Sequence, residues 1–577
     1  TDNGKIDRKR LAENFVADSS LVSPQTQALS DTEQMLLALW MRYLPIKNVD
    51  PECDFFRLGG HSLLAVTLVA EINRTFHCAL TLKDIFHYST LRALSARIAQ
   101  QSITDAAASQ DDWVIVHDPE HRHQPFPLTD VQRAYWLGRQ TGATSIATHI
   151  YHEFDVEHFN VTRFTHAVNA LIARHEMLRA RVLPDGTQQI LAQVPAYQLE
   201  QRDLSALSPN ARNDALMAIR DRLSHHVHPA DRWPLFDFSY SACTAQHGRL
   251  HFSLDLLIAD ALSMRTLQQE LMMLYREPHV SLPLLPFSFR DYVQALLVEQ
   301  ASEAYARDQA YWQRALPQLY GPPTLPVQGD LAQLSAIRFV RRRHRLSAHN
   351  WGVLSALAQR TRITKTALLL TVFSQVLARW SLSPTFTLNL TLFNRPQGYP
   401  NAEAVIGDFT AVSLLNVCYD SQHSYAHNAQ RIQVQLWEDL EHRRFSGIRA
   451  SEALIHSGRF HAPMPVVFTS MLDIDGETTA QDPRDTTRFT LCPDANITQT
   501  PQVWLDHQVI ELAGELHFNW DAVEQLFDTT LLDQMFGAYC HALQALVAMP
   551  QSWWGVNSSL ALPTVSAPVT QAPAPTA

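Results

Sequence analysis

The 577-residue chain has only six cysteines, at positions 53, 78, 243, 418, 492 and 540, and no two of them form a CxxC pair. Such sparse, scattered thiols exclude a disulfide framework and a cysteine-based zinc site, and suit a reducing compartment. No apolar run approaches the roughly 20 residues of a membrane span. The first residues, TDNGKIDRKRLAENF, lack the apolar stretch of a signal peptide. There is no basic excess either: 46 Lys and Arg face 57 Asp and Glu, for a net charge of −11, which argues against nucleic acid as the main partner. A soluble, cytoplasmic protein with neither membrane nor nucleic-acid partner is the expectation. What is present, 46% hydrophobic and 18% charged residues, is ordinary for globular protein. Single cores stop growing near roughly 250–300 residues, so about two or three compact units are expected.

Three stretches read as connectors: residues 13–29, residues 101–112, and the Ala/Pro/Thr-rich tether 563–577. Between the first two lies a helical segment, 30–100. Ser30 and Glu33 form a capping box, followed by Met35, Leu36, Leu39 and Trp40 at helical spacing. A second helix starts after Gly59-Gly60-His61-Ser62 with Leu64, Leu68 and Ile72 on one stripe, and a third runs through Leu91, Leu94 and Ile98. This segment is expected to be a small all-α helical bundle. From residue 113 to 562 amphipathic helices such as VTRFTHAVNALIARHEMLRA alternate with β-rich runs such as LHFSLDLLI, FTLNLTLF and PVVFTSML, which predicts a two-lobed α/β protein.

Within the bundle, DFFRLGGHSL (54–63) places Ser62 after two glycines at a helix start. By itself such a serine is an N-cap. The helix N-terminus also presents unpaired amides and a partial positive charge, which suit an anionic attachment. The ten-residue string resembles the core motif of peptidyl carrier proteins. That resemblance implies 4′-phosphopantetheine on Ser62, added by a phosphopantetheinyl transferase. Asn3-Gly4-Lys5-Ile6-Asp7 is similar to the closing motif of adenylation domains. Residues 1–12 are therefore expected to be a remnant of an upstream adenylation domain, with Lys5 inert, in a chain cut from something longer.

The large segment carries several motifs whose bland readings are ordinary secondary structure. FPLTDVQRAYWLGR (126–139) reads as a loop entering a helix, and Arg174 to Arg179 as a helix end. Both resemble heterocyclization domains of nonribosomal peptide synthetases and are assigned mainly to architecture. Asp255, Asp260 and Ser263, in DLLIADALS, lie where a strand gives way to a helix bearing Leu267, Leu271 and Leu274. Two carboxylates invite an acid/base reading; the competing one is an ion pair between lobes. Asp260 is expected to be structural, paired with Arg395, and Asp255 stays open between the two. The DxxxxDxxS pattern replaces the HHxxxDG of ordinary condensation domains and is similar to the heterocyclization subclass. A decoy, His225-His226-Val227-His228, sits before the strand and lacks the aspartate and glycine spacing. It also lacks a carboxylate or cysteine at ligand spacing, and no metal is expected there.

GDFT (407–410), PVVFTS (465–470) and QTPQVWLD (499–506) are similar to further segments of that family. On their own the last two read as strands, although a charged aspartate beside Trp504 and Leu505 needs a partner or a cleft. The resemblance implies that Thr469 and Asp506 serve ring closure and dehydration; Trp504 is expected to be an apolar wall that raises the carboxyl pKa. It further implies a chloramphenicol-acetyltransferase-like fold with lobes 113–290 and 291–562. The implied partner is a downstream carrier bearing a Cys, Ser or Thr thioester; the product is a thiazoline or oxazoline, in a siderophore synthetase of the yersiniabactin type. The alternative is a domain limited to amide formation, or a silent docking module attached to the carrier.

Overall fold

A computed structural model describes residues 29–44, 46, 50–56, 58, 60, 62–100, 114–140, 148–329, 334, 337–396, 399–460, 464–472, 487–492 and 495–555. The expected adenylation remnant, the connectors 101–112 and 563–577, and nearly all of the connector 13–29 lie outside the described residues. Two compact units emerge, one around residues 29–100 and one around 114–555.

The first unit is a helical bundle of Asp31–Tyr43, Ser62–Phe76, Leu82–His87 and Leu91–Gln100. The Ser30–Glu33 box forms as read: Glu33 N–H donates to Ser30 Oγ at 3.2 Å and Ser30 N–H to Glu33 Oε2 at 2.8 Å. Thr81 and Asp84 build a second box for the short helix that periodicity did not reveal. Leu36, Leu39, Trp40, Leu68, Ile72, Leu91, Leu94 and Ile98 are buried, whereas Met35 turns to solvent at 47% exposure. Phe55 meets Trp40 edge to face, with ring centroids 5.4 Å apart. A Cβ on Gly60 would fall 2.2 Å from the Phe55 ring, so the chain passes here only as glycine.

Among the described residues the second unit has fifteen strands. In chain order they are β1 Phe126–Pro127, β2 His149–Glu157, β3 Ala180–Val182, β4 Thr187–Ile190, β5 Glu200–Asp203, β6 Phe236–Ala242, β7 His247–Asp255 and β8 Phe339–Leu346. They continue as β9 Thr385–Phe393, β10 Thr410–Cys418, β11 Val466–Met471, β12 Arg488–Leu491, β13 Ile497–Gln499, β14 Leu505–Leu512 and β15 Glu515–Val523. One sheet runs β12-β2-β7-β6-β5, with β13 also pairing β2, and a second runs β10-β9-β11-β14-β15-β8. A small sheet, β1-β4-β3, flanks them.

The sheets do not follow chain order alone. Strands β12 and β13, far along the chain, complete the first sheet by pairing antiparallel with β2. The helix Phe289–Glu299 buries Phe289, Tyr292 and Val293 in the first lobe's core, together with Ile406 and Phe409. In the second sheet one face is sealed by the helices Lys365–Trp380 and Thr529–Ala548. The former is apolar almost all round, the signature of a helix enclosed on every side. The other face is left for the site.

Candidate functional site

The facing surfaces of the two large sheets enclose a cavity of about 1810 Å³. A small-molecule pocket is typically about 300–1,000 Å³, so there is room for two reacting partners. Strand alternation decides what faces it. Val467, Thr469 and Met471 of β11, Asp506, Gln508 and Ile510 of β14, Asn389 and Thr391 of β9, and Asn519 of β15 point inward. Val466, Phe468, Leu505, His507 and Val509 point into the helical layer and are buried.

The parallel pairing of β11 with β14 sets Val467 beside Asp506 and Thr469 beside Gln508. Thr469 Oγ1 thereby reaches Asp506 Oδ1 at 3.1 Å and Thr391 Oγ1 at 2.9 Å. One hydroxyl holds one hydrogen, so Thr469 donates to Asp506 while the carboxylate is ionised and takes its second contact from Thr391. Gln508 Nε2 donates to the other oxygen, Oδ2, at 2.6 Å, and Asn519 Nδ2 donates to Gln508 Oε1 at 3.2 Å.

Electrostatics push Asp506 toward its neutral form. Burial is the main cause and raises its pKa to about 7; the bonds from Gln508 and Thr469 and the charge of Arg341 pull the other way. Asp521, directly opposite across the β14–β15 pair, adds to the rise by like charge. Asp521 itself is neutralised by a bidentate fork from Arg341 on β8, at 2.7 and 2.6 Å. Of two facing carboxylates, one has a cation and the other holds a proton near neutrality. Trp504, the expected apolar wall, is not among the cavity residues. Other polar groups face inward as well: His152, kept neutral by burial with a pKa of about 3, and Tyr135, whose hydroxyl burial pushes well above its usual range.

The DxxxxDxxS segment forms a joint rather than a wall of this cavity. Asp260 caps the helix Ala261–Arg276, accepting from Ser263 N–H at 2.7 Å. Arg395 Nη2 donates to Asp260 Oδ1 at 2.9 Å and to Ser263 Oγ at 2.8 Å. Ser263 Oγ in turn donates to the Gly407 carbonyl at 2.9 Å and accepts from Gly407 N–H at 3.1 Å. Asp255 is buried against Arg139 and accepts from Leu257 N–H at 2.9 Å. Asp255, Asp260 and Ser263 are absent from the cavity lining. The arginine and histidine of the Arg174-His175 motif both bind Glu270, at 2.9 and 2.7 Å, and pin two helices of the first lobe. Of the decoy histidines, His225 caps the preceding helix, whereas His228 is buried with Nε2 3.5 Å from Ser253 Oγ of β7, and burial lowers its pKa to about 4.

In the first unit Ser62 is the first residue of a 15-residue helix whose first turn holds no acidic side chain. A helix start without acidic residues in its first turn suits a covalently attached phosphodiester, which the partial positive charge of the helix N-terminus favours.

The chain thus combines a helical bundle that has a serine at a helix start with a separate two-sheet unit that encloses a large cavity. Residues 122–556 match the condensation domain family, and residues 34–98 the phosphopantetheine attachment site. The chain belongs to the condensation-domain family of nonribosomal peptide synthetases, and its large unit is of the heterocyclization kind. It is 37% identical to the EpoB cyclization-docking bidomain from Sorangium cellulosum, with a TM-score of 0.71 over 80% of this chain and 93% of that one. It is 36% identical over 454 residues to pyochelin synthetase PchF of Pseudomonas aeruginosa and 35% identical over 440 residues to phenyloxazoline synthase MbtB of Mycobacterium tuberculosis. These alignments take in 76% and 74% of this chain, but only 24% and 30% of those proteins.

Sequence reasoning did not find Thr391, Gln508, Asn519 or Arg341. Gln508 had a signal, since it lies two residues beyond Asp506 and so on the same strand face.

Proposed function

We propose that the domain spanning residues 113–562 joins a thioester-bound acyl group to a carrier-bound cysteine, serine or threonine, then cyclises and dehydrates the product to a thiazoline or oxazoline. The observation that carries this is the protonatable, buried Asp506 with Thr469 on one of its oxygens, at the wall of a cavity large enough for two reactants. The proposed domains are the carrier at 30–100 and the two lobes at 113–290 and 291–562. Ser62 is the proposed attachment point of phosphopantetheine, whose thiol supplies the thioester on which the acyl group is carried. The proposed partners are an adenylation domain, a second carrier bearing the acceptor, and a phosphopantetheinyl transferase. The proposed setting is cytoplasmic siderophore assembly, in keeping with the likeness to pyochelin synthetase. Among the described residues no helix is long and apolar enough to cross a membrane.

Amide formation needs positioning above all, because the thioester is already activated. The acceptor side-chain thiol or hydroxyl then adds to the new carbonyl, giving a five-membered hemiaminal. Its hydroxyl leaves poorly unless it is protonated. Asp506 gives a proton toward that oxygen, the ring nitrogen lone pair closes the C=N bond, and water departs. The nitrogen then returns its proton to the carboxylate, so the enzyme is unchanged and one water is lost. Asp260 and Ser263 hold the lobes in register, and Asp255 buttresses the helix that carries Arg139.

The test is Asp506→Asn in the holo-protein with both carriers loaded. Ring formation should fall about 10²–10⁴-fold, and the open amide, one water heavier than the ring, should accumulate. Rings made at the normal rate would rule out Asp506 as the proton donor. Absence of rings from the unaltered protein would leave amide synthesis as its reaction.

A further inference from the structure

The two oxygens of Asp506 have different neighbours, and this has a chemical consequence. Oδ1 faces a hydroxyl, Thr469 Oγ1, which accepts as readily as it donates. Oδ2 faces Gln508 Nε2 at 2.6 Å, an amide nitrogen that only donates. The Gln508 amide oxygen in turn accepts from Asn519 Nδ2 at 3.2 Å. Both amides belong to regular strands paired in fixed register, Gln508 opposite Asn519, so the arrangement is built into the sheet.

We propose that Gln508, held by Asn519, is a positioning residue that confines the acidic proton of Asp506 to Oδ1 and so makes the Thr469 hydroxyl its exit toward the substrate. The proposal rests on the reading of Asp506 as the proton donor. A proton on Oδ2 would confront the Gln508 N–H; a proton on Oδ1 donates to Thr469 Oγ1. Transfer is then a two-bond exchange: the Oδ1–H bond breaks as a new O–H bond forms on Thr469, while the original Thr469 proton passes to the departing hydroxyl. The hydroxyl leaves as water, its C–O bond electrons going with the oxygen, and the nitrogen lone pair fills the vacancy as C=N. Asp506 is left as a carboxylate, stabilised by the Gln508 bond, until the ring nitrogen returns a proton.

The amide pair also tunes the acid. The Gln508 bond holds Asp506 below the value that burial alone would set, so its loss moves the pKa up. The experiment compares Gln508→Leu with the unaltered protein and with Asp506→Asn. The probes are the acetyl-loaded holo-chain and a cysteinyl carrier protein supplied in trans, and ring and amide are resolved by intact mass across pH. Loss of one bond to a charged group corresponds to about a tenfold change. Gln508→Leu should therefore lose about tenfold in ring formation at neutral pH, keep amide formation within about twofold, and move the alkaline fall in ring formation to higher pH. Amide synthesis in the same domain reports that the variant is folded. An unchanged ring-to-amide ratio and pH limb, with Asp506→Asn inactive in ring formation, overturns this proposal and leaves the role of Asp506 standing. Ring and amide falling together overturns it too, because the residue would then be merely structural. If Asp506→Asn still makes rings, the reading of Asp506 itself fails, and this proposal with it.

Discussion

Replacing Asp260 by Ala separates a joint between lobes from a catalytic carboxylate. Asp260 Oδ1 accepts from Ser263 N–H at 2.7 Å and from Arg395 at 2.9 Å, and both residues of the pair are buried. Removing one partner of a buried pair costs about 3–5 kcal/mol, because the remaining charge stays desolvated. Loss of a helix cap accounts for about 1 kcal/mol of such a change. Arg395 would retain the Val405 carbonyl at 2.6 Å and the face of Phe409, 4.4 Å from the ring centre, which places the expected cost near the lower end, about 3 kcal/mol. Urea unfolding followed by tryptophan fluorescence should show the midpoint falling accordingly. The double variant Asp260→Ala, Arg395→Leu should recover part of that loss, since no buried cation is then left behind. The reasoning is refuted if Asp260→Ala unfolds at the unaltered midpoint yet loses ring formation, which would move Asp260 from the joint to the chemistry.

Two other outcomes follow from the same geometry. Gly407→Ala places a Cβ 2.0 Å from the Phe289 ring, and the overpacking should cost about 1–3 kcal/mol or more in the same unfolding assay. Ser62→Ala should abolish the mass gain that a phosphopantetheinyl transferase and coenzyme A give the unaltered protein; a persisting gain would place the attachment elsewhere.

What was legible in the sequence depended on how far apart the interacting residues lie. The Ser30–Glu33 box is local, spanning three residues, and helix-end chemistry announces it. The run QVWLDHQVIELAGEL (502–516) was legible as a strand pair, and the Ala513–Gly514 turn within it, with both residues at positive φ, sets the register of β14 and β15. That register alone puts Asp506 opposite Asp521 and Gln508 opposite Asn519. The meeting of Thr469 with Asp506 depends instead on parallel pairing of strands about forty residues apart, which no local pattern specifies. Arg341 comes from farther still, on β8, and its run of arginines reads in sequence as a solvated charged strand. The crossing of β12 and β13 into the first sheet was hidden for the same reason. Met35 shows the limit of apolar spacing: it fits the helical stripe but lies one step off its centre, outside the core.

The most direct test of a protonated, buried carboxyl expelling the oxygen is the pH dependence of the ring-to-amide ratio in the unaltered protein. In its proposed role Asp506 is an acid, so its working form exists below its pKa and is lost as the pH rises through about 7. The ratio should hold steady on the acid side and then fall about tenfold for each pH unit above that point, while total amide formation stays level. A ratio that stays flat through this range would contradict the account.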